Sequence, residues 1–349
     1  MKKILVTSLQ VLITVGLLWW IFRSPEQNRQ ILEALRTANL WWFVPGIVAI
    51  GAAVLLQTQR WIVLLRVQNI VISRWRALRI MLAGMFFNLF LFGSTGGDVI
   101  KMFFIMKEAP DKKAGALLSV FIDRVVGVLA LATVSVAVIV PRFDSLWSHD
   151  KTRAGILTVA LILGASLGFI LFAWLVDRLK LTSKLPHWLP MHARITEAAA
   201  AFSQYGKAGG SVTVAFLLSI PAHLLIFSTF YFGARAFNST LSLLSIYCVM
   251  PIVSTVTALP ISLGGAGLRE GLFQEILGSL YGTSKAIATV ISLSGFLMLV
   301  FWSLVGGIFY LLYRSSSPAP SKISEIEREV EDREHRIEEN AESGRNIER

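Results

Sequence analysis

From Ala114 to Val140 the chain reads AGALLSVFIDRVVGVLALATVSVAVIV, a run whose only charges are the adjacent Asp123 and Arg124. At ~1.5 Å per helical residue it is long enough to cross a ~30 Å hydrocarbon core, and it lacks the alternation of a barrel strand. It therefore predicts a membrane-spanning helix. Working outward, seven more apolar blocks run from Ile4 to Phe22, Trp42 to Leu65, Ile80 to Thr95, Ala154 to Val176, Val212 to Phe232, Leu241 to Leu259 and Ala286 to Tyr313. Only 16% of the residues are charged against about 25% in soluble domains, while 54% are hydrophobic. The prediction is an all-α polytopic membrane protein with about eight hydrophobic segments. The single cysteine, Cys248, rules out internal disulfides and cysteine-based metal cages.

The net charge of +11 does not point to nucleic acid. The segment from Arg314 onward holds seven Lys/Arg against ten Asp/Glu, so the part before it is more basic still. Most of that positive charge lies in loops beside apolar blocks, as expected of cytoplasmic loops facing anionic headgroups. Residues 1–314 are thus read as a transmembrane domain and 315–349 as a charged cytoplasmic tail, a linker followed by short helix or disorder. The run after Met1-Lys2-Lys3 is too long for a signal peptide and lacks a small-x-small cleavage site, so it is read as a retained first span with a cytoplasmic N-terminus. Gly164-x-x-x-Gly168 suits close helix packing.

Loop charge sets the topology. Arg66, Arg74, Arg76 and Arg79 precede the third block, and Lys101, Lys107, Lys112 and Lys113 follow it. Both flanks favour the cytoplasm, which predicts a re-entrant hairpin broken at Gly93-Ser94-Thr95-Gly96-Gly97. A second break, Leu259-Pro260-Ile261-Ser262-Leu263-Gly264-Gly265-Ala266-Gly267, interrupts the seventh block. Two broken elements entering from opposite faces predict an inverted-repeat arrangement with both termini cytoplasmic. The simpler alternative is eight plain spans with glycine kinks.

A few charges fall inside the apolar blocks or at the breaks. Arg60, about two turns from the end of its span, is read as snorkelling to the surface. Asp123 and Arg124 lie ~15 Å beyond Lys113, near the bilayer centre, and point about 100° apart, so each needs a partner on another element. A structural ion pair and a polar site inside the membrane are both open readings. Asp98 follows the first break, and Arg269 and Glu270 follow the second, where a new helix start offers free N–H groups to an anion. Arginine grips phosphate bidentately and keeps its charge when desolvated. A midplane cavity lined by Arg124, Arg269, Asn88 and the amides around Gly96, Gly97, Gly264 and Gly265 would suit a phosphate-bearing lipid headgroup. Asp98, Asp123 and Glu270 would offset the charge. The sequence shows no catalytic constellation, nucleotide-binding loop or metal spacing, so no enzyme activity, cofactor or metal is expected.

Three segments carry a resemblance: Gly84-Met85-Phe86-Phe87-Asn88-Leu89-Phe90-Leu91 with Gly96-Gly97-Asp98-Val99; Ser119-Val120-Phe121-Ile122-Asp123-Arg124-Val125-Val126-Gly127; and Leu259 to Gly271. Together they resemble the signature segments of the lysylphosphatidylglycerol synthase transmembrane region, the flippase-like or UPF0104 family. The resemblance covers about residues 1 to 315. Where the family pattern has Leu-Pro-Ser ahead of Gly-Gly-Asp, this chain has Phe92-Gly93-Ser94. The resemblance implies a multi-pass protein of the bacterial cytoplasmic (inner) membrane. It further implies a lipid translocase acting on a phospholipid or polyprenyl-phosphate lipid, with a partner enzyme or energising subunit. The tail is too short and charged to be the aminoacyl-transfer domain of bifunctional relatives. The alternative is a non-catalytic subunit or scaffold for a lipid-modifying or glycosyl-transferring enzyme.

Overall fold

The computed structural model describes residues 2–90, 96–148, 150–178, 192–259 and 261–315. The glycine break through Thr95, Pro260 and the tail beyond 315 lie outside the described residues. Residues Met1–Gly307 make one compact unit, and Ile308–Arg349 a second, of which only the helical residues 308–315 are described.

The described secondary structure is helical throughout. The helices are α1 (Lys2–Phe22), α2 (Pro25–Arg36), α3 (Phe43–Val67), α4 (Arg74–Phe90), α5 (Gly96–Glu108), α6 (Lys113–Ile139), α7 (Phe143–Trp147), α8 (Asp150–Arg178), α9 (His192–Lys207), α10 (Gly209–Ala236), α11 (Leu243–Thr257), α12 (Leu268–Tyr281) and α13 (Lys285–Ser315). Among the described residues five helical stretches are long and apolar enough to cross a membrane: Leu40–Val67, Pro110–Arg142, Thr152–Phe169, Gly209–Ala236 and Lys285–Leu311. The protein is an all-α, multi-pass membrane protein. Of the other three apolar blocks, the first lies in the 21-residue α1, and the other two supply α4 and α11, which are arms of hairpins.

Antiparallel α3 and α10 are packed along their lengths. At one end the Asn39 amide donates to the Ala236 carbonyl at 2.8 Å. At the other, Gln68 Nε2 donates to Ala201 O at 2.7 Å, and the buried Tyr205 hydroxyl donates to Leu64 O at 3.1 Å, which ties amphipathic α9 beneath α3. Burial pushes the Tyr205 phenol above its ordinary pKa, so it remains a donor. The α13 helix runs beside α3, where Trp302 Nε1 donates to Ile47 O at 2.8 Å. An apolar core of Leu131, Phe227, Ile246, Val253, Phe273 and Ile291 joins α6, α10, α11, α12 and α13.

Two helical hairpins enter this bundle from opposite ends. Seventeen-residue α4 and thirteen-residue α5 reach only ~25 and ~20 Å, less than a full crossing. Their open ends are joined by Arg76 and Glu108, 2.8 Å apart, and Lys112 Nζ donates to Asn69 O at 2.8 Å, so the hairpin begins and ends beside the close of α3. The second hairpin, α11 and α12, opens beside the start of α3, where α10 ends. There Tyr281 lies against Ser245 and Cys248. Its turn needs left-handed backbone at Gly264 (φ 57°), Gly265 (φ 76°) and Gly267 (φ 78°), a region costly for residues with a Cβ.

The Gly164-x-x-x-Gly168 expectation is not met. A Cβ at either position would have nothing within 4 Å among the described residues, because α8 packs through another face, with Gly155, Ile156 and Val159 turned inward. Small residues bring helices together only on the side that has a neighbour.

Candidate functional site: buried charges around the re-entrant hairpin

Helix α6 carries Asp123 and Arg124 to mid-span, ten and eleven residues past its basic start at Lys113. Their divergent directions send them to different partners. Asp123 is 3% exposed. Its Oδ1 accepts from Arg60 Nε at 2.7 Å and its Oδ2 from Lys101 Nζ at 3.0 Å. Arg60 Nη1 also donates to Ser219 Oγ at 3.1 Å, and the Lys101 ammonium sits 4.7 Å from the centre of the Trp61 ring. Trp61 is oriented in turn by donation from Nε1 to Ser119 Oγ at 3.3 Å. Next to this cluster, His223 Nε2 bonds the Gly127 carbonyl at 3.0 Å.

These contacts correct two sequence readings. Arg60 does not snorkel: it is 7% exposed and faces inward. A carboxylate already inside a low-dielectric bundle gives the guanidinium a better partner than the distant headgroup layer. Lys101, counted among the cytoplasmic-flank cations, is 5% exposed and closes the far side of Asp123. A signal for it was present: Asp98 and Lys101 are three apart and therefore share a face of α5. Finding its partner required knowing how α5 lies on α6. Asp123, expected to offset charge in a cavity shared with Arg124, instead serves Arg60 and Lys101.

Arg124 is in a different condition. Its side chain is 41% exposed, and its ion-pair partner, Asp98 Oδ2, stands 3.6 Å away, beyond hydrogen-bond distance. The end of α4 is locked to the start of α5 by Asn88 Oδ1, which accepts from the Gly97 amide at 2.7 Å. Gly97 has no substitute here, since a Cβ would collide with the Gly84 carbonyl and approach Asn88 Cγ to 2.6 Å. The amide predicted to face an anion is thus already bonded. Together, Arg60, Lys101 and Arg124 oppose Asp98 and Asp123, which leaves one positive charge uncompensated within this group.

The second break is neutral and closed. Arg269 donates to Glu270 Oε1 from Nη2 at 2.7 Å and from Nε at 3.1 Å, and Nε also reaches Ser292 Oγ at 3.1 Å. Ser292 Oγ donates to the same carboxylate oxygen at 2.9 Å, and the Gly267 amide donates to Glu270 Oε2 at 2.7 Å. The Phe296 ring lies 4.7 Å from the guanidinium. Glu270 is wholly buried and Arg269 8% exposed. Among the described residues no hydrogen bond or ion pair links this cluster to Arg124 or Asp98, so the single cavity expected between Arg124 and Arg269 is not drawn together by direct contact. Gly264 and Gly265 shape the turn through their backbone.

Residues 7–306 match the family described as lysylphosphatidylglycerol synthase TM region. A comparison with curated proteins finds no significant match.

Proposed function

Because the chain belongs to the lysylphosphatidylglycerol synthase TM-region family, which fits a membrane protein linked to lipid handling, we propose that it translocates a lipid whose phosphate-bearing headgroup is held at Arg124. The observation that supports this most is the state of that guanidinium, half-exposed at mid-span with no hydrogen bond among the described residues. A cation in that position costs several kcal/mol unless an anion or water meets it. The surplus positive charge of the surrounding group favours an anion, and the planar fork of arginine matches a phosphate.

In this reading Asn88, Gly96 and Gly97 hold the hairpin tip, Asp98 and Asp123 offset charge, and the Arg269–Glu270 pair with Gly264 and Gly265 shapes the opposing hairpin. The ligand is a membrane phospholipid or a polyprenyl-phosphate lipid. The transmembrane region performs no covalent chemistry, and any energy input comes from a partner. The protein resides in the cytoplasmic (inner) membrane with Arg66, Arg74, Lys107 and Lys113 on the cytoplasmic side.

Orientation is tested by single cysteines at Ser73 and Lys107 in a Cys248→Ala background. Both should resist an impermeant thiol reagent in intact cells, and both should react after permeabilisation. Labelling of both in intact cells would reverse the assignment, and labelling of one alone would remove the re-entrant reading.

Transport is tested in proteoliposomes carrying labelled phospholipids and polyprenyl-phosphate lipids. Arg124→Gln should slow transbilayer movement about tenfold or more, the loss of a charge-assisted contact, while the fold remains intact. Absence of movement for every lipid in a broad panel would favour the scaffold reading instead.

A further inference from the structure

The two charges on the inner face of α5 meet two consecutive residues of α6, and the two bridges differ in kind. Lys101 to Asp123 is short at 3.0 Å, with side chains 6% and 5% exposed, and Arg60 supports it from behind. Asp98 to Arg124 is long at 3.6 Å, with side chains 19% and 41% exposed, and neither side chain makes another polar contact among the described residues. The first is an anchor, while the second is a loose electrostatic contact in which the donors of Arg124 have no hydrogen-bond acceptor among the described residues.

We propose that Asp98 is a specificity-determining residue, an internal competitor whose carboxylate holds the place on Arg124 that a lipid phosphate takes. This rests on the assignment of the headgroup to Arg124 and adds how that site is kept in the absence of ligand. A phosphate can accept two parallel N–H bonds from the guanidinium at normal length, which Asp98 does not do across 3.6 Å. Displaced, Asp98 keeps a favourable environment as a charged group, since it lies in the first turn of α5, where the helix dipole favours a carboxylate. The exchange therefore costs little, but it is not free. A headgroup without a phosphate leaves Asp98 in place and gains nothing at Arg124. Lys101 and Asp123 remain paired throughout and hold α5 against α6 while the partner of Arg124 changes.

The experiment measures binding of dioctanoyl phosphatidylglycerol to the purified full chain in detergent by calorimetry, with dioctanoylglycerol and inorganic phosphate as separate arms. Asp98→Asn should bind the phospholipid about 3- to 10-fold more tightly than wild type, as expected when a weak competing ion pair is removed. Asp98→Glu should restore wild-type affinity. In an Arg124→Gln background the Asp98→Asn gain should vanish, and dioctanoylglycerol should not respond to either substitution. Unchanged or weaker binding by folded Asp98→Asn overturns the competitor role, as does a gain that persists without Arg124. If Asp98→Asn does not fold, Asp98→Ser makes the same comparison. Inorganic phosphate binding as tightly as the lipid overturns the lipid as the source of the phosphate. Failure of wild type and Asp98→Asn alike to bind any phospholipid overturns the headgroup site at Arg124 itself, and the competitor role with it.

Discussion

Asp123→Ala is expected to destabilise the protein by about 3–5 kcal/mol or to prevent its folding, the cost of leaving buried charge without a partner. Asp123 carries both bridges in its cluster, so its loss strands Arg60 and Lys101 together. The two cations then repel each other in a low-dielectric setting, with Ser219 and the Trp61 ring left as their partners among the described residues. Thermal unfolding in detergent measures the effect. Lys101→Met added to Asp123→Ala should recover part of the loss by removing one stranded cation, and Asp123→Glu should be milder than Asp123→Ala. A near-wild-type midpoint for Asp123→Ala would mean that water or lipid reaches the cluster and replaces the carboxylate.

The second large effect is expected at the closed break. Glu270→Ala removes the acceptor for Arg269, Ser292 and the Gly267 amide at once, and should also cost about 3–5 kcal/mol. Here the cluster is neutral, so removing both charges has a different consequence from removing one. Arg269→Met combined with Glu270→Met should lie within about 1–2 kcal/mol of wild type, because a buried ion pair contributes little relative to apolar residues that fill the same space. Measured beside lipid movement, the double variant separates the two roles open to Arg269. Recovered stability with normal movement makes the pair a structural fastening of the second hairpin. Recovered stability with lost movement gives Arg269 a part in the transport path.

Broken hairpins could be read from the sequence because their causes are local. Gly264, Gly265 and Gly267 adopt positive φ at a place where the apolar pattern is interrupted, and lysines and arginines on both flanks of Ile80–Thr95 signal a chain that returns to the side it left. The long spans were legible for the same reason, since length and lack of charge act through the solvent and need no knowledge of neighbours. The exposed face of Gly164 and Gly168 shows the limit of that reasoning, because a packing motif has no meaning until a second helix is present.

The sequence by itself determined the solvent of this protein, its helical class, the positions of its breaks and the identity of Asp123, Arg124, Arg269 and Glu270 as charges that require an explanation. Only the tertiary structure decided who answers them: Arg60 and Lys101 for Asp123, Asp98 at a distance for Arg124, and Glu270 for its own neighbour Arg269. Burial penalises any charge according to its depth, which the position along a helix reveals. Compensation depends on a partner within a few ångströms, and for Asp123 those partners lie 63 and 22 residues away in the chain, brought close only by the packing of α3 and α5 on α6.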